Sequence, residues 1–526
     1  MSDFVLGIDL GTTNSCAAIR RQKRNPDGRF GPFLTEVLTD YNSGAKTVPS
    51  AVWFKGRDFD VGLNAHNKRG KYPEDVIFDA KRFIGRRFTD QVVQNALSTY
   101  DFNIVDGGND DPAFVVNYRN HTKFKPEEIG AKILTHIKNN ATSVLGVPVT
   151  KSVITVPAYF NDDQRQATKR AAQLAGFHEI TLINEPTAAA LSLKEEDPNT
   201  VGKKVLVFDF GGGTFDVSIV KIGADDVTVI GTHGNTDLGG SHIDQAIVDN
   251  KKLAQLRIAA ETAKKILTTQ KTADIEVESY VVDGAKVYDL EYSLSRSRLN
   301  AICEPYVARC LSVIDEVLKL TKLQTSDIDF VQLVGGSSRL LIVQEYLERK
   351  FPGKLRKTLN PDESVAAGAA SYYHHILHEV TPHNLGIEIR SRSRFAEVNT
   401  MSVLIPSQSP LPNNKSGTYY TSEDNQTVLS IDVYQGDASI VSLNTLLGSF
   451  RISNLPRMPA REARILVSMT IDSDGILHVE VEDQHDKSNT AKIRIEKLRN
   501  QFRSANSNVQ VVGYNQVNSQ NSSHDD

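Results

Sequence analysis

Two segments whose acidic residues lie 200 positions apart nearly repeat one another: Val5-Leu-Gly-Ile-Asp9-Leu-Gly11-Thr12-Thr13-Asn14 and Val205-Leu-Val-Phe-Asp209-Phe-Gly211-Gly212-Gly213-Thr214. Each reads as a buried strand that ends in Asp and breaks into a Gly/Thr turn. A turn of small residues lets backbone N–H groups approach phosphate oxygens, and a carboxylate at a strand tip holds a hydrated divalent cation. One copy alone reads as an ordinary Gly-rich turn. Two copies facing each other would clamp a polyphosphate from both sides.

A chain of 526 residues is too long for a single core, and its 40% hydrophobic content is enough to fill several compact units. The net charge of −4 gives no electrostatic case for a nucleic-acid partner. The basic run Arg20-Arg21-Gln22-Lys23-Arg24 precedes the turn signal Asn25-Pro26-Asp27-Gly28 and reads as a solvated loop. No apolar run reaches spanning length and none resembles a leader, so the expectation is a soluble monomer without membrane contact, cytoplasmic or nuclear. Cys16, Cys303 and Cys310 suit neither a disulfide framework nor a zinc site; the last two fall on one helix and read as packing residues.

From Asp3 to about Tyr373 apolar strands alternate with amphipathic helices, the pattern of α/β layering. One such helix runs from Pro126 to about Asn140, with Ile129, Ile133, Leu134 and Ile137 on a single stripe. Past residue 381 the hydrophobic period becomes two. Leu429, Ile431 and Val433 alternate with polar residues, and Ile465, Val467, Met469 and Ile471 lead through Ser473-Asp474-Gly475 into Leu477, Val479 and Val481, an antiparallel hairpin of an all-β domain. Between the two regimes His374-His375-Ile376-Leu377-His378-Glu379-Val380 reads as a solvated connector rather than a metal site. After about Lys497 the Ser/Asn/Gln-rich composition predicts a disordered tail, with a helical stub near Glu496–Phe502.

Three further strings carry chemistry. In Val331-Gln-Leu-Val334-Gly335-Gly336-Ser337-Ser338-Arg339 a strand meets a double glycine, and Arg339 is suited to stacking on a purine. Thr155-Val-Pro157-Ala-Tyr-Phe160-Asn161 leads into a helix, and Ile183-Asn184-Glu185-Pro186-Thr187-Ala-Ala-Ala190 follows. Together with Asp79 to Arg87, Asn360 to Ala370 and Val380 to Glu388, these strings make the chain resemble the 70 kDa heat-shock chaperones of the DnaK type, from the first strand to about Ile495.

The resemblance implies a duplicated, ribonuclease H-like, actin-like ATPase domain over residues 1–373, a linker at 374–380, a β-sandwich peptide-binding domain at 381–497 and a polar tail at 498–526. It implies ATP or ADP with Mg²⁺ as cofactor and leaves K⁺ open. By the same likeness Asp9 and Asp209 orient Mg²⁺ through its waters, while Gly11, Thr12, Thr13, Asn14, Gly211, Gly212, Gly213 and Thr214 cradle the phosphates. Lys81 reaches the γ-phosphate and the attacking water, which Glu185 and Thr214 help to position. Glu261, Lys264, Lys265, Gly335, Gly336, Ser337 and Arg339 match the nucleoside pocket, with Asp362 beside it. Pro157 and Arg165 match a relay that reports nucleotide state. Ile387, Tyr419, Leu429 and Ile431 match the walls of the peptide cleft, and Arg390 and Ser422 the arch above it.

Several departures qualify these expectations. The span between Asp244 and Ala260-Glu261-Thr-Ala-Lys264 is short, which clips a lobe tip that exchange factors use. His378 replaces a linker leucine, predicting weak coupling between domains, and Thr181 stands where a J-domain contact is expected. Leu429 narrows the peptide pocket by a methylene. The polar tail replaces the α-helical lid, and Ser523-His-Asp-Asp526 is not the family's acidic C-terminal motif. The implied partners are unfolded or nascent polypeptides, with J-domain and exchange-factor contacts weakened. The leading expectation is an ATP-hydrolysing chaperone; the alternative is a scaffold that holds ATP without turning it over. A sugar or glycerol kinase on the same fold is disfavoured, because the β-domain after residue 381 has no place in one.

Overall fold

The computed structural model describes residues 4–24, 30–117, 122–248, 254–283, 286–392, 397–494 and 509–512. Internal contacts divide the chain into two compact units, residues 1–160 with 167–377, and residues 161–166 with 378–526.

The first unit contains the same sheet twice. In one copy Val5–Asp9 lies between the parallel strand Lys151–Val156 and the antiparallel strand Asn14–Arg24, with Glu179–Asn184 and Phe30–Val37 continuing outward. In the other, Lys204–Phe210 lies between the parallel strand Phe330–Val334 and the antiparallel strand Phe215–Ile222, with Leu355–Arg356 and Asp226–Asn235 beyond. Both central strands are buried through Leu6 to Ile8 and Val205 to Phe210, as strands covered on both faces must be. Each therefore aims its terminal Asp at the same end of its sheet.

Local sequence sets the helices that cover these sheets. Helix Pro126–Leu145 begins with Pro in its first turn, is capped by Glu128 accepting the Lys125 N–H at 2.7 Å, and ends at Gly146 with φ 68°. Its stripe of Ile129, Ile133, Leu134 and Ile137 is buried in the first core, each side chain contributing about 1.5–3 kcal/mol. Helix Arg296–Thr321 buries Cys303 and Cys310 in the second core.

The basic run is not a loop. Arg20 to Arg24 lie in the strand Asn14–Arg24, where Arg20 pairs with Glu195 and donates to Ser371, and Arg21 donates to Glu36 at 2.6 Å. Alternation on an edge hairpin gives each of these two cations an acidic partner nearby, which a count of charges does not reveal. The connector also has structure: Tyr372–His374 forms a 3₁₀ turn, Ile376 donates its N–H to the Asp225 carbonyl at 3.3 Å, and Ile376–His378 is a short strand. Thr181 and Tyr373 share a hydroxyl contact of 3.0 Å.

In the second unit two sheets enclose one core. One runs Glu397–Ile405, Leu385–Arg392, Leu429–Gln435, Thr445–Ile452, Val509–Val512; the other runs Asn413–Tyr420, Arg464–Ile471, Leu477–Asp483, Thr490–Arg494. The expected hairpin pairs Ile471 with Leu477, and Asp472 accepts the Asp474 and Ile476 N–H groups while Gly475 takes φ 76°. Val509–Val512, a β-branched stretch within the segment expected to be unstructured, pairs with Ser449–Ile452. The rest of that segment and the stub Glu496–Phe502 lie outside the described residues.

The Ala-rich helix Ser364–Ala370 packs on helix Glu185–Glu196 and on the first strand through Ala366 and Ala370. A Cβ at Gly368 would fall inside the Ala188 carbonyl group, which is backbone and cannot move aside. Gly368→Ala is expected to cost at least about 1–3 kcal/mol, seen as a lower midpoint in thermal or urea unfolding.

Candidate functional site

The two Asp-terminated strands open into one cleft of about 650 Å³ in the first unit. The facing turns touch: a Cβ on Gly213 would come within 2.7 Å of Thr12 Cγ2, and one on Gly212 would overlap Thr13 Oγ1. Gly212 and Gly213 are thus required by approach between the turns, not by a positive φ. A third turn closes on them. Gly240 and Ser241 donate their N–H groups to the Gly211 and Gly212 carbonyls at 3.0 and 2.8 Å, and Ser337 Oγ donates to the Gly211 carbonyl at 2.8 Å. Gly335, at φ 76°, sits against the Phe210 carbonyl and Asp209.

The acidic end of the cleft joins three elements. Asp9 and Asp209 stand at the ends of their strands, and Glu185 is the first residue of helix Glu185–Glu196. Lys81 stands on the 3₁₀ turn Ala80–Arg82, which follows Asp79 at φ 56°, and its Nζ donates to Glu185 Oε1 at 2.6 Å with both side chains buried. Burial, then the charge of Glu185, raises the Asp9 carboxyl to about 7 against the pull of Lys81. Burial and the charges of Glu185, Asp216 and Asp9 push Asp209 up as well. These carboxylates therefore carry an electrostatic penalty that a cation at the strand tips would relieve.

At the far end the expected nucleoside residues are bound to one another. Lys264 Nζ donates to Asp244 Oδ2 at 2.8 Å and to the Gly240 carbonyl at 3.1 Å; Lys265 Nζ donates to Glu261 Oε1 at 2.7 Å; Arg339 donates to Asp362 Oδ2 at 2.6 Å. Burial raises Asp244 to about 6, against Lys264. Burial would raise Glu261 too, but Arg69, Lys265 and Lys264 together hold it well below the usual carboxylate range.

Sequence reasoning missed the residues that bridge the cleft. Arg69 donates to Glu261 Oε2 at 3.0 Å, and Arg82 donates to Asp237 Oδ1 at 2.8 Å and to the Tyr100 hydroxyl at 2.9 Å. His242 Nδ1 accepts the Gly239 N–H at 3.1 Å, so its Nε2–H donates to Asp237 at 3.0 Å. Ser50 supports the first turn by donating to the Gly11 carbonyl at 2.7 Å. Arg82 was within reach, being part of the string that contains Lys81; Arg69 and Ser50 stand in no motif.

The remaining expected residues lie outside the cleft. Pro157 follows the strand Lys151–Val156, and Arg165 is on helix Asp162–Leu174, in the segment that groups with the second unit. In the sandwich, Ile387 and Ile431 belong to the core, with Tyr419 and Leu429 half-buried against it. The Tyr419 hydroxyl is 3.1 Å from Ser402 Oγ, and Ser422 is exposed with its N–H on Gln426. The Arg390 side chain is outside the described residues. No group of three His, Cys, Asp or Glu is placed to hold a directly bound metal among the described residues, and no described helix is long and apolar enough to cross a membrane.

Twin acidic strand tips, each running into a glycine turn, face one cleft in a duplicated α/β unit, the class of site built to hold a phosphate-bearing ligand beside a cation. The family model described as "Hsp70 protein" matches residues 5–524, and the chain belongs to the Hsp70 family. It is 37% identical to heat shock cognate 70 kDa protein 3 of Dictyostelium discoideum, over 92% of this chain and 78% of that protein. It is equally 37% identical to a ribosome-associated molecular chaperone of Saccharomyces cerevisiae, over 94% and 84%, and to a ribosome-associated molecular chaperone of Candida glabrata, over 90% and 79%. Members of this family are ATPases that bind ATP or ADP with Mg²⁺, and the cradle and acidic strand tips present here fit that group.

The Asp9 shift fixes the sign of a pH effect. Its carboxyl titrates higher when folded than unfolded, so the ionised form is penalised in the fold; the penalty is absent below about pH 4 and complete above about pH 7. Asp9→Asn is therefore expected to raise the melting temperature of the protein without nucleotide or Mg²⁺ above pH 7. That gain should shrink to nothing as pH falls toward 4, read in unfolding scans across the range.

Proposed function

We propose that the cleft binds ATP with Mg²⁺ and hydrolyses it, and that the β-sandwich holds extended apolar segments of unfolded or nascent polypeptides. The buried Lys81–Glu185 pair beside the two strand-tip carboxylates carries this reading. Bound Mg²⁺ would neutralise phosphate charge and be oriented, through water, by Asp9 and Asp209. The N–H groups and hydroxyls of Thr12, Thr13, Asn14 and Gly211 to Thr214 hold the phosphate oxygens. Lys81 places its ammonium at the terminal phosphate, and Glu185, as acceptor, orients the water that attacks it. Such a site works by placement and charge compensation rather than by a covalent step. Glu261, Lys264, Lys265, Ser337 and Arg339, with Asp362, form the nucleoside end.

The names of the yeast relatives support nascent chains as clients. Pro157 and Arg165 are proposed to relay nucleotide state, with the coupling weakened at His378.

Single-turnover hydrolysis on the purified chain tests the reading. Lys81→Ala is expected to slow phosphate release by about 10²–10³-fold, the usual loss for one transition-state donor, while nucleotide affinity changes little. Equal rates in the two proteins would favour the scaffold that holds ATP without turnover.

A further inference from the structure

The cleft extends past the residues assigned to the nucleotide into an annex between helix Gln91–Leu97, with Thr99 and Tyr100 after it, and Arg257 of helix Ala254–Ile266. Val92 and Ala96 give it an apolar wall, and Tyr100 a ring face. The Tyr100 hydroxyl is already engaged, donating to Asp79 Oδ2 at 2.9 Å and accepting from Arg82 at 2.9 Å. Arg257 lies over that face, 5.2 Å from the ring centroid.

Around Arg257 the annex leaves guanidinium donors unmet. Arg69 and Arg82 are neutralised by Glu261 and Asp237, whereas Arg257 forms no ion pair among the described residues. Four buried guanidinium nitrogens have no hydrogen-bond partner: Arg69 Nε, Arg82 Nε, and Nε and Nη2 of Arg257. Burial lowers the affinity of Arg257 for its proton, with Tyr100 and Asp101 opposing, which marks a cation removed from water without full compensation. Folded proteins seldom leave such groups unmet, and a fork of unmet guanidinium donors is matched by a tetrahedral oxyanion with several acceptor oxygens.

We propose that this annex is a second anion subsite, centred on Arg257, that takes a phosphate group alongside the nucleotide. The phosphate arrives either as the free ion or as part of a longer nucleotide polyphosphate. The subsite goes beyond the nucleotide reading and does not require it, because none of its donors is among the residues assigned to the triphosphate.

Binding of inorganic phosphate to the full chain saturated with AMP-PNP and Mg²⁺, which blocks the cradle, tests the proposal, with diadenosine tetraphosphate on the nucleotide-free chain as a second arm. Arg257→Gln is expected to weaken phosphate binding about 10- to 100-fold, as losing hydrogen bonds from a charged donor does. It should leave the ligand-free melting temperature unchanged or higher, since an unmet buried cation is removed. Weakening of phosphate alone identifies the free ion as the ligand; weakening of both ligands identifies the tethered group. Phosphate binding equal in the two proteins, or undetectable in the wild type, overturns the subsite, and so does a variant that melts lower and binds phosphate normally. If AMP-PNP fails to bind while phosphate binding still depends on Arg257, the nucleotide reading falls and the subsite stands.

Discussion

Asp9, Asp209 and Glu185 crowd negative charge into a cleft where Lys81 is their one buried ammonium partner among the described residues. Burying charge is unfavourable unless it is paired, and here the pairing is incomplete by construction. The surrounding fold makes it tolerable. Both central strands are locked on each side by neighbouring strands, so the carboxylates cannot swing away from one another toward water. Hydrophobic burial in two separate cores offsets the local cost. The site is held under electrostatic tension by elements whose own stability lies elsewhere, which is how binding sites retain unfavourable ground states.

Backbone proximity is the second constraint. Gly212 and Gly213 press against Thr12 and Thr13, and Gly239 against the Gly212 carbonyl, so three turns share a space that any side chain would fill. The amides are brought within reach of a ligand by the absence of Cβ atoms. Across the opening, Arg69 to Glu261 and Arg82 to Asp237 tie the first half of the unit to the second. Because these pairs are largely removed from solvent, salt screens them less than it screens surface pairs.

The central strands were legible because an apolar run broken by Asp and glycine has few other readings, and the repeat exposed the duplication. The sandwich announced itself through strict alternation, as at Ile465 to Ile471. What could not be read were contacts that depend on three-dimensional register. Arg20 and Arg21 looked like a solvated loop because their partners, Glu195 and Glu36, are brought near only by sheet pairing and helix packing. Arg69, Ser50 and Arg257 carry no local pattern, since each acts through a residue far away in the chain. Lys264 and Asp244 were both in plain view, but their mutual bond was not.

The Ala-rich helix Ser364–Ala370 follows all but the last short strand of the second sheet in the chain, yet its small residues seat against Gly7, Cys16 and Ala18 of the first. Two residues before it, Asp362 holds Arg339. The first half therefore borrows part of its own interior from the far end of the unit. Cut between the halves, the polypeptide would yield fragments that complete one another only in mixture.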